Sequence, residues 1–312
     1  MSYTEMEVVD CLKAIKHSKR VLSIQSHVVS GYAGNKCSVF PLQLNGFEVD
    51  VINSVQFSNH TGYQHVKGQR LTNNDLKELF EGLKLNNLIN YSHIVTGYVG
   101  KTDFLKEIKE IILECKRVNP SLIYVCDPVM GDCGEYYTPK ELMPVYRDEI
   151  ISLADVITPN AFELGELTGI TIDSENNCLK AIDVIHKKYG IKCVVVSSGV
   201  NHPTNQSIFY AYASKLNKNG QYEQYRFKIN KIDIYCVGTG DVFVSLLINW
   251  MDILGDDIQQ AVCNTISSLQ HILHKTNEYC QDKSLPQNRE IKLIQSRYEI
   301  LCPSIKIETE KL

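Results

Sequence analysis

The sequence predicts an α/β protein: a central, mostly parallel sheet flanked by helices on both faces, with a small β-hairpin insertion. Three observations carry this. Short apolar runs alternate with longer stretches of 3.6-residue period along nearly the whole chain. Leu122-Ile123-Tyr124-Val125-Cys126 and the run from Lys192 to Val196 read as buried strands. Late in the chain the alternation breaks. Ser207 to Ala213 and Tyr222 to Ile229 read as two strands joined through Asn217-Lys218-Asn219-Gly220, a hairpin signal.

The elements follow in order. Val21-Leu22-Ser23-Ile24-Gln25 and Val49-Asp50-Val51-Ile52 read as strands. Thr72 through Leu85 reads as a helix, with Thr72 as N-cap and Asp75 three residues on. His93-Ile94-Val95-Thr96 is a strand ending in Gly97, and Thr102 to Val118 is a helix that stops before Asn119-Pro120. A helix is expected from Pro139 with Thr138 as its cap. Asp155-Val156-Ile157 is a short strand and Ser174 to Tyr189 a helix. Gly238-Thr239-Gly240-Asp241 opens an apolar helix, Val242 to Met251, and helical stretches follow over 258–274 and 287–300.

The chain has 312 residues, 44% of them hydrophobic, enough for a large core without covalent staples. No Pro/Gly/Ser-rich linker divides it, so residues 1–312 are expected to form one domain. The formal charge of −4 gives no reason to expect nucleic acid as a partner. No apolar run approaches the roughly 18 residues of a membrane helix, and the N-terminal stretch has neither the basic start nor the apolar centre of a signal peptide. Eleven scattered cysteines, with no C-x-x-C pair, point to reduced thiols and a cytoplasmic or nuclear protein.

In a parallel sheet, ligands sit beyond the carboxyl ends of the strands. The residues there are Ser26, the stretch from Ser54, Gly97-Tyr98, Asp127, Thr158-Pro159-Asn160 and Ser197-Ser198. Gly238-Thr239-Gly240-Asp241 suits an anion hole of backbone amides at a helix start, with Asp241 as a general base beside it. An ordinary cap with an acid in the first turn reads the same residues equally well. Asp127-Pro128-Val129-Met130-Gly131-Asp132 offers two carboxylates for Mg²⁺, or a plain turn. Asn160 and Glu163 share a helix face, either to order Mg²⁺ waters and triphosphate oxygens or as a capping box. The stretch 26–35 is a glycine-bearing loop suited to close ligand approach, and Phe57 to Gly62 with Gly97-Tyr98 would line a pocket for a small aromatic molecule. A dinucleotide fingerprint is excluded, because Phe243 stands where its third glycine belongs; no stretch matches a Walker A loop.

The segments 21–35, 40–50, 53–63, 125–132, 157–163 and 237–241 resemble, in order, those of the pyridoxal kinases of the ribokinase-like superfamily. Segment 53–63, NSVQFSNHTGY, is the most specific. The resemblance covers nearly the whole chain. It implies phosphoryl transfer from ATP to the 5′-hydroxymethyl of pyridoxal, pyridoxine or pyridoxamine, in a homodimer. It implies Asp241 as base and Gly238, Thr239 and Gly240 as the anion hole. Ser26 and Thr61 would bond the ring substituents, with Val55, Phe57 and Tyr98 packed nearby and Tyr137 on a lid. Asp127, Asn160, Glu163, Ser197, Ser198, Val237 and Gly238 would serve ATP. Asp127, Asp132, Thr158 and Glu163 would serve Mg²⁺ or another divalent cation and K⁺ or another monovalent one. Only Cys133-Gly134-Glu135-Tyr136 separates Asp132 from Tyr137, a shorter lid loop than in animal members. Ser197 stands where threonine is expected. Competing readings are a kinase for another hydroxymethyl heterocycle such as hydroxymethylpyrimidine, a nicotinamide oxidoreductase, and a kinase-like protein that only binds.

Overall fold

A computed structural model describes residues 19–312; the signal-peptide reading of the N-terminal stretch lies outside them. The strands β1 (Arg20–Val28), β2 (Glu48–Phe57), β3 (Gly68–Arg70), β4 (His93–Thr96), β5 (Ile123–Cys126), β8 (Val156–Ile157), β9 (Cys193–Val196), β10 (Ile208–Leu216), β11 (Tyr222–Asn230) and β12 (Glu308–Lys311) form one sheet. Its order is β12-β11-β10-β9-β8-β5-β4-β1-β2-β3. The six strands from β9 to β2 are parallel. The predicted hairpin, β10–β11, pairs antiparallel with β9 and so extends this sheet; β12 then covers β11. A separate two-stranded sheet pairs β6 (Gly131–Asp132) with β7 (Glu135–Tyr136).

Side-chain alternation sends each strand's apolar residues to both faces. Leu22, Ile24, Ile94 and Tyr124 face one core with Leu105, Ile108 and Tyr146. Val21, Val95, Val125 and Val195 face the other, with Phe243, Leu247 and Val262. The helices that cover the faces are α1 (Asn35–Leu44), α2 (Asn73–Leu85), α3 (Thr102–Val118), the short α4 (Leu142–Val145), α5 (Ala161–Thr168), α6 (Glu175–Tyr189), α7 (Thr239–Leu254), α8 (Ile258–Tyr279) and the short α9 (Arg297–Leu301). Thr72 and Asp75 form the expected capping box of α2, and Ser174 caps α6.

Two expectations fail. No helix starts at Pro139. The Thr138 hydroxyl donates to the Met130 carbonyl at 2.9 Å instead of capping, and α4 begins at Leu142. The stretch 287–300 is not one helix either. It breaks into two 3-10 turns, Pro286–Arg289 and Ile294–Ser296, before α9, and Glu290 between them is extended.

Candidate active site

Strand ends and the start of α7 converge on a cavity of about 370 Å³. β1 ends in Ser26-His27-Val28 after a register shift against β2 between Gln25 and His27. A bulge of this kind re-aims the residues beyond it. β2 contributes Val55 and Phe57, and these pack with Val28, Ala33, Tyr98 and Val237 as an apolar wall. Ser26, Thr61, Asp127, Asp132, Tyr137 and Gly238 to Asp241 complete the lining. Tyr137 stands at the cavity 58% exposed. The loop before it is a tight hairpin, with Cys133 and Gly134 both at positive φ (51° and 85°), as a two-residue turn between twisted strands needs.

Gly238 is the N-cap of α7 at φ 87°. A β-carbon there would also overlap Cys37 Sγ, so conformation and space both demand glycine. The amides of the first turn have no acceptor within their own helix, and the helix dipole adds positive potential. Asp241 lies in that turn. Its Oδ2 accepts the Gly34 amide at 2.7 Å. Burial raises its carboxyl to about 6, with the Gly34 bond pulling the other way. The Asp241 carbonyl accepts from Ser38 Oγ at 3.1 Å. Ser38 belongs to a buried chain of bonds: Gln25 donates to Ser38 and Ser23, Ser23 to Asn35, and Asn35 to Asn53. This chain ties β1, α1 and β2 to Asp241.

Asp127 lies at the end of β5. A β-carbon on Gly240 would stand 3.8 Å from its Oδ2, so this acid adjoins the first turn of α7. Its carboxyl is pushed well above the usual range, first by burial, then by the charges of Glu163 and Asp241; a Thr158 hydroxyl bond at 3.3 Å opposes this. Burial likewise raises Glu163, against amide bonds from Asn160 and Met130. Among the described residues, no lysine or arginine pairs with Asp127, Asp132, Glu163 or Asp241. No cluster of three or more His, Cys, Asp or Glu ligands occurs among the described residues. The capping box of Asn160 and Glu163 is present, and Asn160 Nδ2 donates to the Gly131 carbonyl at 2.7 Å.

Thr158, Asn160, Glu163 and Ser197 do not line this cavity. A second cavity of about 690 Å³ shares Asp132 with it and is lined by Phe162, Ser198, Phe209 and Lys231 among others. Ser197 is near by: its amide donates to Pro159. The sequence placed His60 and Gly34 in candidate site loops without giving either a role; it missed Glu290, which lies behind the first cavity. Their bonds span more than 200 residues, beyond any local spacing signal.

A family model described as phosphomethylpyrimidine kinase matches residues 41–286. A Caenorhabditis elegans protein provisionally named a pyridoxal kinase is 52% identical, over 95% of this chain and 96% of that one. The human pyridoxal kinase is 40% identical over 94% of this chain and 98% of its own. The solved pyridoxal kinase of Leishmania donovani, in complex with ADP and pyridoxamine, superposes with a TM-score of 0.88 at 31% identity, covering 95% of this chain and all of that one. The chain belongs to the pyridoxal kinase family.

Proposed function

We propose that this chain transfers the γ-phosphoryl group of ATP to the 5′-hydroxymethyl oxygen of pyridoxal, and of pyridoxine and pyridoxamine, in vitamin B6 salvage. The observation that carries this reading is Asp241 Oδ2 held by the Gly34 amide, beside the free amides at the start of α7. The wall of Val28, Ala33, Val55 and Phe57 suits a flat ring, and Ser26 and Thr61 supply hydroxyls for its substituents. With its carboxyl near 6, Asp241 is ionised at neutral pH yet basic enough to share an alcohol proton. The hydroxymethyl oxygen gives that proton to Asp241 and bonds to the γ-phosphorus. The bond from phosphorus to the β–γ bridging oxygen breaks, and ADP leaves. The Gly238, Thr239 and Gly240 amides hold the charge on the moving group.

The nucleotide reading places ATP across Asp132 into the second cavity, with Ser197 and Ser198 toward the phosphates. The buried acids fit a cation, since burial raises both carboxyls and, among the described residues, no lysine or arginine pairs with them. A divalent ion at Asp132 and Asp127 would neutralise the triphosphate; Mg²⁺ needs only one or two carboxylates besides phosphate and water. Thr158 and Glu163 are the residues for a monovalent ion. We further read 1–312 as one domain, since a single sheet spans β1 to β12. The absence of disulfides among the described residues supports a cytoplasmic location, and no helix of the described residues is long and apolar enough to cross a membrane. A homodimer is implied by the resemblance alone.

Product analysis after incubation with Mg-ATP and each vitamer tests the reading. ADP and the 5′-phosphate of pyridoxal are expected. The family model's description favours one second reading, a hydroxymethylpyrimidine kinase. Preferential turnover of that pyrimidine in the same panel would select it.

A further inference from the structure

Glu290 is brought from a distant part of the chain to a place behind the vitamer cavity, against His60 of its lining. Its backbone is extended (φ −65°, ψ 129°), just after a 3-10 turn. Its side chain is 12% exposed and takes part in three contacts from two other loops. Oε1 accepts the Tyr63 hydroxyl at 2.8 Å and lies 3.2 Å from His60 Nε2. Oε2 accepts the Tyr32 amide at 2.9 Å. Gly31 makes room for this, because a β-carbon there would overlap the carboxyl.

His60 Nδ1 accepts the Gly62 amide at 3.1 Å. In a neutral imidazole the other nitrogen then carries the hydrogen, so Nε2 donates to Glu290. Both ring nitrogens are thereby engaged. His60 lines the cavity together with Thr61 and Gly62, and its Nδ1 holds the Gly62 amide. The other loop runs through Tyr32 to Gly34, the amide partner of Asp241. None of the residues lining the larger, nucleotide-side cavity comes from either loop.

We propose that Glu290 is a positioning residue of the vitamer pocket: it clamps the loops 29–34 and 58–67 together and, through His60, sets Thr61 against the ring. This rests on the vitamer-kinase reading above. Glu290 touches no reacting atom. Its loss acts on vitamer binding and leaves the nucleotide side as it was.

The test is steady-state kinetics of the full chain as wild type, Glu290→Ala and Tyr63→Phe, varying pyridoxal and ATP separately. Misplacing a contact residue by about an ångström is enough for losses of tenfold or more. Glu290→Ala is expected to raise KM for pyridoxal about tenfold, with KM for ATP within about twofold; kcat is expected to fall as well, by up to about tenfold, because the same loop carries the Gly34 amide to Asp241. Tyr63→Phe, which removes one donor, should shift pyridoxal KM in the same direction by less, and it decides the matter if Glu290→Ala does not fold. An unchanged pyridoxal KM, or equal rises in both KM values, overturns the proposal. Nitrogen-15 NMR gives a readout independent of turnover, with the His60 resonance assigned by its loss in His60→Asn. A single Nε2–H tautomer in the wild type, averaged in Glu290→Ala, supports the clamp; the same tautomer pattern in both refutes it. A wild type that leaves pyridoxal unphosphorylated refutes the functional reading instead, and the NMR comparison still decides the clamp.

Discussion

The Gly34 amide donates to Asp241 Oδ2 at 2.7 Å, joining residues 207 positions apart. This bond orients the carboxylate and lowers its proton affinity, while burial raises it; the balance lies near 6. A carboxylate in free solution, near 4, would be a poorer match to an alcohol proton.

The first prediction concerns pH. The base works only when deprotonated. The rate constant kcat/KM for pyridoxal should therefore rise about tenfold per pH unit below about 6 and level off above it. A pH–rate profile at saturating ATP checks this; a limb centred near 4 would contradict the burial argument.

Gly238→Ala should cost stability and turnover together. The residue sits at φ 87°, and the added carbon would overlap Cys37 Sγ. Backbone strain alone accounts for about 1–2 kcal/mol. Urea unfolding beside the kinetics measures both, and a fully stable, fully active variant would count against the description of this turn.

Asp127→Asn should melt at a higher temperature than the wild type in metal-free, nucleotide-free buffer at about pH 8. The folded state holds the Asp127 proton more tightly than the unfolded chain does. Stability from such a group is fully present below the unfolded carboxylate range, about 4, and is lost as pH rises. The gain from asparagine should therefore shrink toward about pH 5. Scanning fluorimetry at the two pH values checks the sign. The same variant should lose activity.

Asn160→Ser separates capping from ligand binding. Serine is a good N-cap, so stability should fall by no more than the roughly 0.5–1.5 kcal/mol of one lost hydrogen bond. It loses the Nδ2 bond to Gly131. A raised KM for ATP in this variant indicates a role toward the triphosphate; unchanged kinetics leave Asn160 as a cap only.

Much of the fold was legible because it is local. The Thr72–Asp75 box, the stop of α3 before Asn119-Pro120, and the apolar runs of β4, β5 and β9 each write their own boundary. Strand ends then located one side of the cavity lining, Ser26, Val55, Phe57, Thr61, Tyr98 and Asp127. Legibility ended where tertiary contacts override local signals. Thr138 followed by Pro139 looks like a helix start, but the hydroxyl is bound to Met130. The helical period over 287–300 conceals Glu290, whose extended backbone delivers its carboxylate to Tyr32, His60 and Tyr63. The polar chain from Ser23 through Gln25 and Asn35 reads in sequence as scattered polar residues and becomes a support for Asp241 only once β1 and α1 pack.

Turnover of pyridoxal by Asp241→Asn tests the central claim most directly. The asparagine oxygen can still accept from Gly34, so fold and pyridoxal affinity should persist. Turnover should fall by about 10²–10⁴. Turnover near that of the wild type would contradict the assignment of Asp241 as the base.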